Sequence, residues 1–308
     1  MCIFISRIGF EPTKRRSPCP PHLTKTLDHI VHLTPPGTVE QVSQQFRDLG
    51  FNVIAGGAHA GGLSSNALVI LGDGAYLELI SFTHPASHYP IGSPDRQRRD
   101  SDPWAHKDPG WIDFAFLGSS ATSIAHIINT RAERDHSGIH YTPETPGGRT
   151  RTDGRVLEWV ITGTEDDELR GTVPFFCGDV TPRGWRVPVE PPSNAVHPSG
   201  VQGVAYVRVL TEPGSLTSVS AKLTSVVGEP PRLNAQESEY TWTLEVQSGT
   251  SGAEKPRLIL GAPKNGEERD HLDTKGPGIF EVGFSVGHHG VERESRTPYS
   301  KIVWVRSP

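Results

Sequence analysis

The chain has 308 residues with 30 basic and 35 acidic side chains, a formal charge of −5; this mild acidity argues against nucleic acid as a partner, and no apolar run approaches the roughly 20 residues that span a bilayer. Hydrophobic residues make up 34%, beside 33 Gly and 27 Pro, which favours short strands and many turns over long helices. Cys2, Cys19 and Cys177 are scattered with no CxxC spacing, so neither a disulfide framework nor a zinc knuckle is indicated, and a reducing, cytoplasmic setting fits.

Residues 1–25 read as a disordered lead-in, because the apolar piece precedes the basic piece, the reverse of a secretory signal. Thr26 to Leu33 alternates as a half-buried strand, with Leu27, His29, Val31 and Leu33 on one face. Thr38 is placed to cap a helix in which Val39, Val42, Phe46 and Leu49 recur at helical spacing, and Gly50 ends it. Three strands are expected next: Phe51 to Ala55, then, after a glycine-rich loop carrying His59, Asn66 to Leu71, then, after the Gly72–Asp73–Gly74 turn, Ala75 to Phe82. The unit over 26–82 is βαβββ. Residues 83–109, rich in Pro, His and charge, read as a loop or lid.

The pattern restarts over 110–182, where WIDFAFLG, a helix with Ile124, Ile127 and Ile128, a glycine-rich loop PETPGGRTRTDG and the strands RVLEWVITG and VPFFCGD follow in order. Gly147 and Gly148 match Gly56 and Gly57, marking an internal repeat. A Pro-rich link spans 183–200, and a third, divergent copy runs over 201–290, with GIFEVGFSVG as its last strand. A tail over 291–308 carries the edge strand KIVWV.

His29 lies on a largely apolar face of its strand, and Glu78 shares a strand face with Tyr76 and Ile80. A lone strand histidine is more often a satisfied core residue, and a strand carboxylate flanked by apolar neighbours can be a structural anchor. Asp113 has the same ambiguity. His59 and Asn66 flank the AGGLSS stretch, where His59 can move a proton near neutral pH or lie exposed in a turn. Arg149 and Arg151 form a fork suited to a carboxylate or phosphate, or are solvated. Trp111, with Trp104, Trp159 and Trp185, is a candidate for an aromatic wall, though core packing explains at least some of them. Cys177 has no base beside it in sequence. No GxSxG, P-loop or dinucleotide fingerprint is present.

LDHIV at the start of the first unit and YLELI at its end resemble the vicinal oxygen chelate superfamily of glyoxalase I, extradiol dioxygenases and bleomycin-resistance proteins. More narrowly, GGAHAGG, PGGRTRTDGRVLEW, PFFCGD and HPSGV together resemble the glyoxalase-like domain family of bacteria and fungi. The resemblance implies an α+β fold of repeated βαβββ modules that form cupped mixed sheets. It also implies a divalent metal, Zn²⁺, Mn²⁺, Fe²⁺ or Mg²⁺, held by His29 and Glu78 as a neutral imidazole and a carboxylate that share one concavity, with Asp113 where a second histidine belongs and Cys177 or Asp179, or Glu281 of the third unit, where a second glutamate belongs; because no second His and Glu pair is present, a metal-free organic-ligand site is the alternative. Lyase or isomerase chemistry on a small oxygenated metabolite follows, with Glu78, His59 and Glu281 as proton-moving groups and Asn66, Arg149, Arg151 and Trp111 binding the substrate. The competing class is a small-molecule sequestering protein of bleomycin-resistance type. Three modules make an odd count, so the third sheet needs either a partner, as in a homodimer, or a different cover.

Overall fold

A computed structural model describes residues 24–59, 61–151, 153–247, 254–287 and 290–306. The expected alternation produces β1 (Leu27–Thr34), followed by α1 (Val39–Asp48), β2 (Ile54–His59), β3 (Ser64–Ile70) and β4 (Tyr76–Phe82). Thr38 caps α1 without a side-chain bond to the helix and donates instead to the Pro35 carbonyl. After α2 (Pro94–Asp100), a second copy follows as β5 (Gly110–Leu117), α3 (Ile124–Asp135), β6 (Thr145–Arg151), β7 (Val156–Thr162) and β8 (Phe175–Asp179).

Strands β1 to β8 close into one barrel in the order β1-β4-β3-β2-β6-β7-β8-β5. The two glycine-rich stretches read from sequence as loops are strands, and they pair with each other: Gly57 lies opposite Arg151, Ala58 opposite Thr150, and His59 opposite Arg149. The glycines serve close packing here. A Cβ on Gly56 or Gly57 would meet Asn66 or the Thr150 carbonyl, and one on Gly147 would meet the Trp159 indole.

Two bulges decide which side chains enter the barrel. The β1–β5 register slips between Leu27 and His29 and again between Val31 and His32. Asp28 is the extra residue of the first slip, so Leu27 joins the outer core while His29 faces inward with Val31 and Leu33. At the second slip Ile112 is the extra residue, and Trp111 therefore turns outward, away from Asp113.

After α4 (Arg183–Arg186), a second sheet contains β9 (Val201–Leu210), α5 (Leu216–Val227) on its flank, β10 (Arg232–Asn234), β11 (Glu239–Thr243) and β12 (Arg257–Gly261). It continues, beyond α6 (Gly266–Lys275), with β13 (Gly278–Val286), β14 (Arg293–Arg296) and β15 (Lys301–Arg306). Its order is β10-β11-β12-β9-β13-β15-β14. Strand β12 is parallel to β9, as β4 is to β1, so β12 closes the third unit in place of GIFEVGFSVG. Strand β13 pairs antiparallel with β9 and parallel with β15, which repeats the β5 pattern and makes KIVWV an interior strand; β14 is the edge.

One apolar core joins the outer face of the barrel to this sheet, through Phe46, Phe51, Val207, Phe284 and Trp304 among others. The cover sought from a second chain is thus supplied within the chain. Residues 1–23 of the lead-in, His288, His289 and most of the insertion at 248–255 lie outside the described residues.

Asp73 couples the two sheets. Its carboxylate accepts from the Ala75 N–H at 3.0 Å and from the Val204 N–H, across the interface, at 2.7 Å. Burial raises its pKa to about 6, against the lowering effect of those N–H groups. The folded chain therefore holds this proton more tightly than the unfolded chain does. The associated stability is fully present below about pH 4 and is lost as pH rises through about 6, amounting to ~3 kcal/mol at most. Urea denaturation between pH 4 and 7 should show this loss in the wild type and a flatter profile in Asp73→Asn.

Candidate active site

The barrel encloses a cavity of about 360 Å³ whose wall includes His29, His59, Asn66, Glu78, Arg149 and Phe175. Glu78 sits on β4 with its carboxylate between two imidazoles: His29 Nε2 is 3.8 Å from Oε2, and His59 Nε2 is 3.5 Å from Oε1. Burial alone would raise the Glu78 carboxyl, but His59, His29 and the Asn66 amide outweigh it and push it down to about 2. A carboxyl held that low is a poor proton carrier near neutral pH. Glu78 stands instead as a fixed negative charge between the two rings.

The two histidines are held differently. His29 Nδ1 is 2.8 Å from Asp28 Oδ2, so Nδ1–H donates to that carboxylate and Nε2 is left facing the cavity. The ring stacks on Tyr76 at 4.7 Å and meets the Phe175 edge at 5.2 Å. His59 Nδ1 lies 2.9 Å from the Ser64 hydroxyl, which can donate or accept, so that Nε2 can gain or lose a proton without stranding the other nitrogen.

Behind His29 lies a buried ion cluster. Asp28 is fully buried and accepts from Arg186 Nη1 at 2.9 Å and from Arg183 Nη1 at 2.5 Å. Arg186 also bonds Asp179 at 2.6 and 2.9 Å and donates to the Tyr76 hydroxyl at 2.9 Å. Burial works against the Asp28 charge, yet Arg186 and Arg183 hold its carboxyl well below the ordinary range.

Asn66 is the strut of the site. Its Oδ1 accepts the Gly57 N–H at 3.0 Å and its Nδ2 donates to Glu78 Oε1 at 2.6 Å. A Cβ on Gly56 would stand 1.9 Å from Asn66 Oδ1 and 2.6 Å from its carbonyl oxygen. Gly56→Ala should therefore cost about 1–3 kcal/mol by overpacking and detach Asn66 from Glu78. Thermal denaturation measures the first effect; an unchanged melting temperature would contradict this account of the glycine pair.

The family profile of the glyoxalase-like domain matches residues 27–225. The chain belongs to the glyoxalase-like domain family. Its fold is that of the vicinal oxygen chelate superfamily. No curated protein matches the sequence. Among solved structures, a hypothetical protein from Staphylococcus aureus is similar with a TM-score of 0.63 at 9% identity, covering 92% of this chain and 99% of that one. A mutant 4-hydroxymandelate synthase from Streptomyces coelicolor gives 0.49 at 14% identity, over 86% of this chain and 71% of that one. A halotolerant catechol dioxygenase gives 0.45 at 12%, over 93% and 88%. At 9% identity the likeness to the Staphylococcus aureus protein is one of fold.

In this glyoxalase-like cup the second half differs from the first at both expected ligand positions. Val31 pairs with Glu78 in the first half, and Ala115 pairs with Phe175 in the second, so Phe175 stands where Glu78 stands; the sequence assignment to Cys177 or Asp179 is corrected by this register. Asp113, opposite Val31, holds the place of His29. Its carboxylate is spent on Trp104 Nε1 and the Phe114 N–H, both at 3.0 Å. Among the described residues no three His, Cys, Asp or Glu side chains converge to hold a metal ion. Phe175 and the hydrogen-bonded Asp113 supply no second ligand pair, so the chelate implied by the resemblance is not completed from the second half of the cup.

The remaining sequence candidates divide. Arg149 and Asn66 line the cavity with His29, His59 and Glu78. Arg151 does not; it donates to the Trp185 carbonyl and pairs with Asp153, each at 3.0 Å. Glu281 belongs to the second sheet, where it accepts from the Tyr206 hydroxyl at 2.9 Å and pairs with Lys301 at 3.0 Å. Trp111 donates to the Lys301 carbonyl at 2.9 Å on the outer side of the barrel. Of the other tryptophans, Trp104 and Trp159 line the cavity. Cys177 also lines it, but burial pushes its thiol up to about 12, which keeps it protonated. Asp28, Tyr76 and Arg186 were missed as site residues. The signal was the Asp immediately before His29 and the paired arginines of PRGWR in a stretch read as a spacer.

Proposed function

We propose that the protein is an enzyme of lyase or isomerase type, which moves a proton at a carbon beside a carbonyl in a small oxygenated metabolite and uses its own side chains to do so. The arrangement of His29, Glu78 and His59 carries this reading: two imidazoles share one carboxylate, and one of them is backed by Asp28. One imidazole Nε2 removes the C–H proton. The C–H electron pair becomes a C=C bond, and the carbonyl pair moves to oxygen to give an enolate. The other imidazole returns a proton to carbon or oxygen, so nothing is oxidised or reduced. Arg149 supplies positive charge to the developing oxyanion from the other half of the barrel.

The test is solvent exchange. The purified protein is incubated in D₂O with a panel of 2-oxo acids, 3-oxo esters and neutral ketones, and loss of the proton signal beside the carbonyl is followed by NMR. Catalysed exchange that survives dialysis against a chelator supports the proposal. Ligand binding without exchange for any compound would overturn it in favour of sequestration, and exchange lost on chelation and restored by a divalent metal would overturn the metal-free part.

A further inference from the structure

The cations near the cavity are not alike. Arg186 is shared between Asp28 and Asp179, and Arg98 on α2 pairs with Asp95. Arg149 is only 4% exposed, and its Nη1 is buried with no hydrogen-bond partner among the described residues. That nitrogen passes over Gly57, 3.0 Å from where a Cβ would stand, so the absent side chain gives the guanidinium its berth. Arg149 also lines the cavity, and an anion there offsets the cost of burying its charge.

We infer that the cavity takes monoanionic carboxylates with an apolar, aromatic-sized body, the carboxylate lying on Arg149; this rests on the proton-transfer reading above for its position beside the imidazoles. Arg149 and His59 are direct partners across the β2–β6 pair and both line the cavity, so their side chains are neighbours on one face. A carboxylate on Arg149 leaves the next carbons beside His59 and Glu78. Leu68, Tyr76, Ile80, Trp104, Trp159 and Phe175 give the wall an apolar and aromatic stretch, beside Arg98, Asp102 and Arg186, that accommodates a hydrocarbon body. A dianion is disfavoured because Glu78 keeps its own negative charge on the same wall. Within the proposed reaction the substrates are thus 2-oxo or 3-oxo acids rather than neutral ketones or phosphate esters.

Isothermal titration of the full chain with phenylacetate, phenylacetamide and inorganic phosphate tests the inference. Phenylacetate should bind at least about tenfold more tightly than either of the others, the scale of one charge-assisted contact. Arg149→Met and Arg149→Gln should each remove the preference for the acid over the amide, while His29→Gln should keep it. Equal binding of acid and amide by the wild type, an unchanged preference in folded Arg149 variants, or tighter binding of phosphate would each overturn the inference. The two proposals fail separately: exchange of neutral ketones with no preference for acids sinks the substrate class and leaves proton transfer standing, whereas acid binding without exchange does the reverse.

Discussion

Replacing His29 with glutamine should lower the rate of catalysed proton exchange by about 10²- to 10⁴-fold, the usual contribution of a positioned acid–base group. Glutamine can still donate an amide hydrogen to Asp28, which also keeps its bonds to Arg183 and Arg186. What it cannot do is carry a proton on and off an atom that faces the cavity. The expected signature is a fall in turnover with the melting temperature and phenylacetate affinity little changed. A variant within threefold of wild-type exchange would show that His29 is a packing residue on Tyr76 and Phe175, and the mechanism would then have to run through His59 alone. The comparison is informative because the two roles predict opposite results: a stacked ring that only fills space would cost stability when replaced and leave exchange intact.

Arg186→Met should destabilise the fold by about 3–5 kcal/mol, the cost of removing one partner from a buried ion pair. The reason is what remains behind. Asp28 has no exposed surface and Asp179 is largely buried, and each loses bonds to the same guanidinium. Arg183 still reaches both carboxylates, at 2.5 and 3.3 Å, and keeps the loss from being larger. Urea denaturation measures the effect, and adding Asp28→Asn to Arg186→Met should recover part of it by neutralising one stranded charge. Arg186→Lys should fall between wild type and Arg186→Met, since an ammonium cannot hold the two carboxylates and the Tyr76 hydroxyl with one planar fork. A loss below about 1 kcal/mol would mean that water or Arg183 replaces Arg186 fully.

Much of the scaffold was legible in the sequence because alternation and glycine spacing are local signals. The repeat of βαβββ units and the shared inward face of His29 and Glu78 follow from periodicity and parity along single strands, whereas Asn66 and Arg149 were picked out only as residues in or beside glycine-rich stretches. Three kinds of information were not local. A bulge of one residue at Ile112 reverses parity, and this is why Trp111 was read as facing inward with Asp113. Glycine pairs look like loops in a sequence, but here they let Asn66, Trp159 and Arg149 press against neighbouring backbone, which is a property of the partners and not of the glycines. The partner of Asp28 lies 158 residues away, in a stretch that carries no strand or helix pattern long enough to draw notice.

The second sheet was the least legible part. Glu281 is flanked by apolar strand residues just as Glu78 is, and composition alone cannot tell a carboxylate that faces a cavity from one paired with a lysine on a neighbouring strand. The pairing of β13 with β9 and β15 decides the matter, because it brings Lys301 beside Glu281 and sets both in a sheet separate from the barrel.

The closed barrel is made by one chain from two unequal halves, and that inequality has a stereochemical consequence. His29, His59 and Glu78 come from β1, β2 and β4, while Trp159 and Phe175 come from β7 and β8. A planar enolate lying between them presents one face to the trio and the other to hydrocarbon. Protonation at carbon is then confined to a single face, and a prochiral substrate should yield one enantiomer.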